Sequence, residues 1–306
     1  MTVARVLAFI RLGRPLFLAG GFILYAIGAA VARGGDLGAI DWTSYALGQA
    51  VVTAFQLMTH YANDYFDLAA DRANTTPTRW SGGSRVLANA ELSPRVALYA
   101  ALAFAALGAG GALVLSQRAP QTLATVATMA ILAWIYSAPP MRLCARGLGE
   151  LDTAVVVTGL VPYLAFQLQH GHAIAPLLAS IAPLACLQMA MLLAIEVPDE
   201  AGDAATGKRT LVVRFGRGPA AVLYAALTAA PYAALAVGYA NGLPARVAIA
   251  GLVTSPIAAW RIARVRADAA TPTAYERLTF VAVALLVATS LAILAGWLVP
   301  LHASVP

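Results

Sequence analysis

Charged side chains are scarce in this sequence. Aspartate, glutamate, lysine and arginine make up 11% of its 306 residues, while 60% are hydrophobic; a soluble domain carries about 25% charged residues. The shortage excludes an ordinary soluble globular domain and points to a polytopic membrane protein. Lysine is almost absent: 19 of the 20 basic residues are arginine, and Lys208 stands alone. The net charge of +6 therefore includes no polybasic tail, and no nucleic-acid partner is expected. Two cysteines, Cys144 and Cys186, are too few and too far apart for a disulfide framework or a zinc site. The GxxxxGK[ST] spacing of a phosphate-binding loop is absent, and no cleavable signal peptide is expected.

What is present is long apolar runs. A bilayer core needs about 20 apolar residues per helix, and nine stretches qualify, at roughly 15–32, 43–62, 96–115, 120–136, 151–166, 173–195, 220–239, 245–262 and 278–298. With the N-terminus inside, the connections 2–3, 4–5, 6–7 and 8–9 are cytoplasmic. Together with the N-terminal segment they hold every basic residue except Arg33, Arg118 and Arg246, as the positive-inside rule requires. The expectation is an all-α, multi-pass protein of the cell membrane, surrounded by lipid. It has nine transmembrane helices around a central cavity, a cytoplasmic N-terminus and a single domain over 1–306. Three cytoplasmic loops, about 63–95, 136–150 and 196–219, carry the polar residues, and long loops in a compact fold are often functional.

The first of them opens with "NDYFDLAAD". Asn63, Asp67 and Asp71 follow at i, i+4 and i+8, with Asp64 three residues before Asp67, so on a helix they share neighbouring turns. Asp199 and Asp203 repeat the i, i+4 spacing 132 residues later, after the sixth span and one turn past Glu196. Like charges so close repel one another. Two such arrays facing one cavity offer hard oxygen ligands to a divalent cation, and Mg²⁺ prefers a few carboxylates completed by water and phosphate oxygens. Arg85, Arg142, Arg146, Lys208 and Arg209 lie in the same loops, and arginine forks and a lysine point charge suit a phosphate. "SGGSR" and "TGKRT" add glycines that let backbone N–H groups approach an anion. In "YSAPPMRLCARGLGELD", Pro139 and Pro140 end the fourth span just after Tyr136. Gln56 and His60 lie two turns and one turn before Asp64, at a depth where polar side chains mark function.

These segments resemble the UbiA superfamily of intramembrane prenyltransferases. "NDYFDLAAD" is similar to that family's first aspartate motif, and "DEAGD" followed by "GKRTLVVRFG" to its second. "YSAPPMRLCARGLGEL" is similar to the tyrosine-containing loop between them. "FQLMTHYANDYFD", "SGGSRVLANAELSP" and "YSAPP…RGLGE" resemble the 1,4-dihydroxy-2-naphthoate polyprenyltransferase branch, which makes menaquinone precursors. The resemblance implies a Mg²⁺-dependent transfer of a polyprenyl group from a polyprenyl diphosphate to an aromatic acceptor. It implies Asn63, Asp64, Asp67, Asp71, Asp199 and Asp203 as metal ligands, with Arg85, Arg142, Arg146, Lys208 and Arg209 on the diphosphate. Tyr136 would steady the allylic cation, and Gln56 and His60 would orient the acceptor.

Three alternatives stay open: another aromatic or quinonoid acceptor, a terpene cyclase of the same superfamily with no acceptor, and a membrane transporter. A transporter would place ionisable residues near mid-span. Chain length, acceptor and oligomeric state are not encoded in any motif.

Overall fold

The computed structural model describes residues 2–299, and every regular element among them is helical. The order is α1 (Val3–Leu12), α2 (Pro15–Ala32), α3 (Trp42–Phe66), α4 (Leu68–Ala73), α5 (Pro94–Arg118), α6 (Leu123–Ile135) and α7 (Gly149–Thr153). A π-helical segment (Ala154–Leu160) then leads into α8 (Val161–Leu168), α9 (Ile174–Ala205), α10 (Leu211–Phe215), α11 (Arg217–Ala240), α12 (Ala245–Leu252), α13 (Ser255–Ala270) and α14 (Tyr275–Leu298).

Six helical stretches among the described residues are long and apolar enough to cross a membrane: Pro15–Ala32, Pro94–Arg118, Gly149–Leu168, Ile174–Ala205, Arg217–Ala240 and Pro272–Leu298; Pro120–Ile135 is a shorter apolar helix. The expected second span lies in α3, which is long but carries Gln49, Thr53, Gln56, Thr59, His60 and Asn63. The expected eighth span breaks between α12 and α13 at Val253 and Thr254. Large apolar side chains such as Leu107, Leu113, Ile131 and Ile249 are exposed around the outside, which suits a lipid-facing belt rather than water.

Small residues set the packing, as is usual where backbones must approach closely. α3 runs along α5, with Gly108 against the Phe55 ring and Gly111 against Val51. α2 lies on α8, where Gly28 faces the backbone of Pro162. α9 packs along α11 and α14. The short α1 seats Ala8 and Leu12 on the Tyr61 side of α3, and the Tyr61 hydroxyl donates to the Phe9 carbonyl at 2.8 Å.

One contact decides where the chemistry sits. α4 lies against the end of α9, and a methyl group on Gly202 would meet the Ala70 carbonyl oxygen and the Asn74 amide nitrogen at 2.9 Å. The third expected loop is accordingly shorter than 196–219, because α9 continues through Glu196 to Ala205. Gly202→Ala should push α4 from α9, costing about 1–3 kcal/mol of stability by overpacking, whereas Gly110→Ala on α5, with open space around it, should leave stability unchanged or raise it by up to ~1 kcal/mol. Thermal unfolding of both variants in detergent checks the contrast.

Candidate active site

α3 ends at Phe66, yet the Asp67 amide still donates to the Asn63 carbonyl at 2.9 Å and the Asp71 amide to the Asp67 carbonyl at 3.0 Å. The helical path thus survives the break, and Asn63, Asp67 and Asp71 all line one cavity of about 260 Å³. Asp199 and Asp203 line it from α9. The Asn63 amide group donates to Asp67 Oδ2 at 2.9 Å and to Ser137 Oγ at 3.1 Å. Asp199 accepts from Asn74 Nδ2 at 2.6 Å and from the Gly82 amide at 3.0 Å.

Lys208 joins the two sides: its Nζ lies 3.0 Å from Asp67 Oδ2 and 3.1 Å from Asp203 Oδ1. Burial alone would lower the Lys208 ammonium, but Asp67 and Asp203 outweigh it and hold the group well above its ordinary range. Asp71 is pushed the other way. Burial and the neighbouring Asp64 raise its carboxyl to about 8, against the pull of Arg14. The site therefore holds more carboxylates than its own cations can satisfy. Gly83, at φ +70°, leaves room for the Asp71 carboxylate where any side chain would collide with it.

Asp64 departs from the expected metal set. One residue on from Asn63, it points about 100° further around the helix. It lies behind the cavity wall, 1% exposed, paired with Arg14 and accepting from the Ser84 amide at 3.2 Å and the Ser84 hydroxyl. Of the five expected diphosphate-binding residues, only Lys208 is a wall residue. Arg142 reaches Asp67 Oδ1 at 3.7 Å, at the rim. Arg85, at φ +64°, donates to the Asp71 carbonyl; Arg146 donates to the Pro140 carbonyl at 2.9 Å; Arg209 has an exposed side chain, and its amide donates to the Ala145 carbonyl at 2.9 Å. These three brace the loops around the cavity instead of lining it.

Tyr136 caps α6 and lines the cavity. The loop after it folds back, so the Cys144 amide donates to the Tyr136 carbonyl at 2.9 Å. Gln56 and His60 also line the wall. His60 Nδ1 lies 2.8 Å from the Gly13 carbonyl, which assigns that nitrogen as the donor and leaves Nε2 free to face a ligand. Gln56 Oε1 is buried with no partner among the described residues. Deeper along the helices the wall turns apolar, with Leu24, Val52, Met129, Val161, Leu192 and Leu286.

Four residues escaped the sequence reading. Arg14 lines the cavity and binds Asn63 Oδ1 at 3.0 Å as well as Asp64; it stood in the sequence as one more basic residue before a span. Asn74 and Ser137 are polar clamps with no spacing signal. Asp152, in "GELD", lines the cavity from α7.

Residues 21–283 match the UbiA prenyltransferase family. The chain is 30% identical over 224 residues to the 1,4-dihydroxy-2-naphthoate octaprenyltransferase of Mycobacterium tuberculosis, covering 72% of this chain and 74% of that one. It is 29% identical over 242 residues to the digeranylgeranylglyceryl phosphate synthase of Methanopyrus kandleri, covering 76% and 81%. Its fold is similar to that of a UbiA homologue from Archaeoglobus fulgidus bound to GPP and Mg²⁺, with TM-score 0.60, 18% identity, and coverage of 94% of this chain and 99% of that one. With all but its two ends inside the family match, and with helices apolar enough to cross a bilayer, the chain belongs to the UbiA prenyltransferase family and is an integral membrane enzyme.

Proposed function

We propose that this enzyme transfers a polyprenyl group from its diphosphate to an aromatic acceptor, 1,4-dihydroxy-2-naphthoate, in a Mg²⁺-dependent reaction of menaquinone biosynthesis. The site faces the cytoplasm from within the cell membrane, in one domain of nine spans with the N-terminus inside. The arginine distribution supports that orientation. One observation carries the catalytic reading: two acidic segments far apart in sequence share one cavity and one lysine, and the far end of that cavity is mainly apolar, with Gln188 and Ser290 as polar exceptions. The archaeal homologue bound to GPP and Mg²⁺ supports the donor and metal, and the mycobacterial relative supports the acceptor. Family membership removes the transporter alternative.

The residues present fit Mg²⁺. Among the described residues Asp67 Oδ1 is buried without a hydrogen-bond partner, with Arg142 at 3.7 Å as a loose ion pair, and Asp71 resists ionising where no further cation balances it. Among the described residues no three acidic, histidine or cysteine side chains converge into a ready-made metal cluster, which suits an ion that completes its shell with phosphate oxygens and water. Asp67, Asp71, Asp199 and Asp203 would hold it, with Asn63 beside them. When bound, Mg²⁺ supplies charge neutralisation for the departing diphosphate.

The protein's own groups do the remainder. Lys208, with Arg142 at the rim, binds the diphosphate and shares its growing charge. The Tyr136 ring offers its face to the allylic cation, an attraction of ~0.5–2 kcal/mol. The apolar wall excludes water that would capture that cation. At about 260 Å³ the cavity suits a head group rather than a whole isoprenoid, so the tail runs out between helices. Gln56 and His60 orient the acceptor.

A phosphate-bearing acceptor, as the name of the Methanopyrus relative implies for that enzyme, is a second reading. Of the two cations on the wall, Arg14 is paired with Asp64 and Lys208 is assigned to the donor diphosphate, which leaves neither for a second phosphate and favours an acceptor that brings none. A cyclase would have no use for Gln56 and His60. One labelled prenyl diphosphate offered with a panel of acceptors, including 1,4-dihydroxy-2-naphthoate and a glyceryl phosphate ether lipid, separates the readings by product.

Asp67→Ala and Asp199→Ala should each abolish Mg²⁺-dependent turnover while leaving a folded protein in detergent; wild-type-like turnover in either would remove the metal assignment. A non-hydrolysable prenyl diphosphate analogue should bind more tightly in Mg²⁺ than in EDTA, read by calorimetry, and equal affinities would exclude a metal bridge between acid and diphosphate.

A further inference from the structure

Asp152 belongs to neither acidic segment. It sits one turn past Gly149, whose Cα lies so close to the Tyr136 ring that a methyl group there would be 3.3 Å from Cε2. It lines the cavity and is only 7% exposed. Its Oδ1 has no hydrogen-bond partner, and it joins no ion pair among the described residues. Directly after it the chain leaves α-helical geometry for the π-helical segment 154–160, which carries Val156 and Val157 onto the cavity wall. π-helical turns inside helices are frequent at functional sites.

A buried carboxylate oxygen without a donor costs free energy and contributes nothing to the fold. On a cavity wall shared with Tyr136 and the apolar side chains, the missing donor belongs to the acceptor. We infer that Asp152 accepts the hydrogen bond of an acceptor hydroxyl and takes its proton as the ring attacks, so that the acceptor is a hydroxyarene whose O–H is conjugated with the carbon alkylated. This rests on the aromatic-acceptor reading above. In the step, the donor C1–O bond breaks and its electron pair leaves with the diphosphate. A ring π pair forms the new C–C bond, and the O–H pair becomes a carbonyl π bond as the proton passes to Asp152. The ring then loses a proton to the diphosphate, or CO₂ where the alkylated carbon bears a carboxylate, and Asp152 returns its proton to the oxygen. Asp152 emerges unchanged.

The test compares two readouts of one preparation: prenylation of 1,4-dihydroxy-2-naphthoate and related hydroxyarenes, and Mg²⁺-dependent binding of a non-hydrolysable prenyl diphosphate analogue, read by calorimetry. Asp152→Asn should lower kcat for prenylation about 100-fold or more, bind the donor analogue within about threefold of the wild-type affinity, and be partly restored by Asp152→Glu. Prenylation by Asp152→Asn within about threefold of wild type overturns the assignment. Should that variant lose analogue binding through misfolding, the wild-type enzyme decides: acceptors with each hydroxyl methylated in turn must include one ether that is no longer prenylated, and full turnover of every ether overturns the assignment. Wild-type binding of the donor analogue with no hydroxyarene prenylated overturns the aromatic reading itself, and the role of Asp152 with it.

Discussion

The Lys208 ammonium, held between Asp67 and Asp203 at 3.0 and 3.1 Å, is the interaction on which the site depends. Both carboxylates are nearly buried, at 7% and 5% side-chain exposure. Removing the lysine would leave both buried carboxylates uncompensated, at a cost of about 3–5 kcal/mol, whereas removing one acid leaves the lysine its other partner. The two acids come from segments that share no helix, so the lysine is also the tie across the cavity. Gly202 lets α4 lie close enough for the tie to form. Around it the acids remain in excess, as the raised Asp71 carboxyl records. A cavity with this balance suits positive charge brought together with a ligand rich in phosphate oxygens.

The gradient along the cavity follows from where the helices end. Asp67 and Asp203 stand at or near the ends of α3 and α9, while Val52 and Leu192 lie turns earlier on the same helices. At 1.5 Å per residue, the 15 residues from Val52 to Asp67 span roughly 22 Å. One helix thus has a charged end and an oily flank on the same cavity, and Tyr136 lines that cavity from the end of α6. Such a layout suits a substrate that is itself an ionic head on a lipid tail.

Much of this was legible in the sequence because charge in an apolar chain is conspicuous. Asp67, Asp71, Asp199, Asp203 and Lys208 stand out against their surroundings, and the structure brings all five to one cavity. The arginines were harder. Their loop positions announce a basic face, but whether a guanidinium meets a ligand or a neighbouring carbonyl depends on a few backbone angles, such as the positive φ of Arg85 and Arg142. Asp64 stands off the cavity wall for a geometric reason, since an adjacent acid on a helix faces elsewhere. Asp152 was invisible because a single carboxylate at the start of a span looks like a loop charge, and the π-helical turn behind it has no compositional mark. The break between α12 and α13 falls at Thr254, Ser255 and Pro256, a short polar and proline step that the apolar residues on either side of it outweighed.

The repeated aspartate spacing has a further meaning. Asp67–Asp71 and Asp199–Asp203 look alike in sequence, yet the first pair straddles the junction of two helices and the second lies on one continuous helix. The two arrays are therefore held differently. α9 is anchored along α11 and α14 over many turns, whereas α4 is six residues long and hangs from a glycine contact, the Asn74 clamp and Lys208. The matched spacing thus answers a shared chemical demand for paired carboxylates, and the backbone meets it in two ways: one array rides on a long helix packed through the bundle, and the other is held at the cavity by a few local contacts.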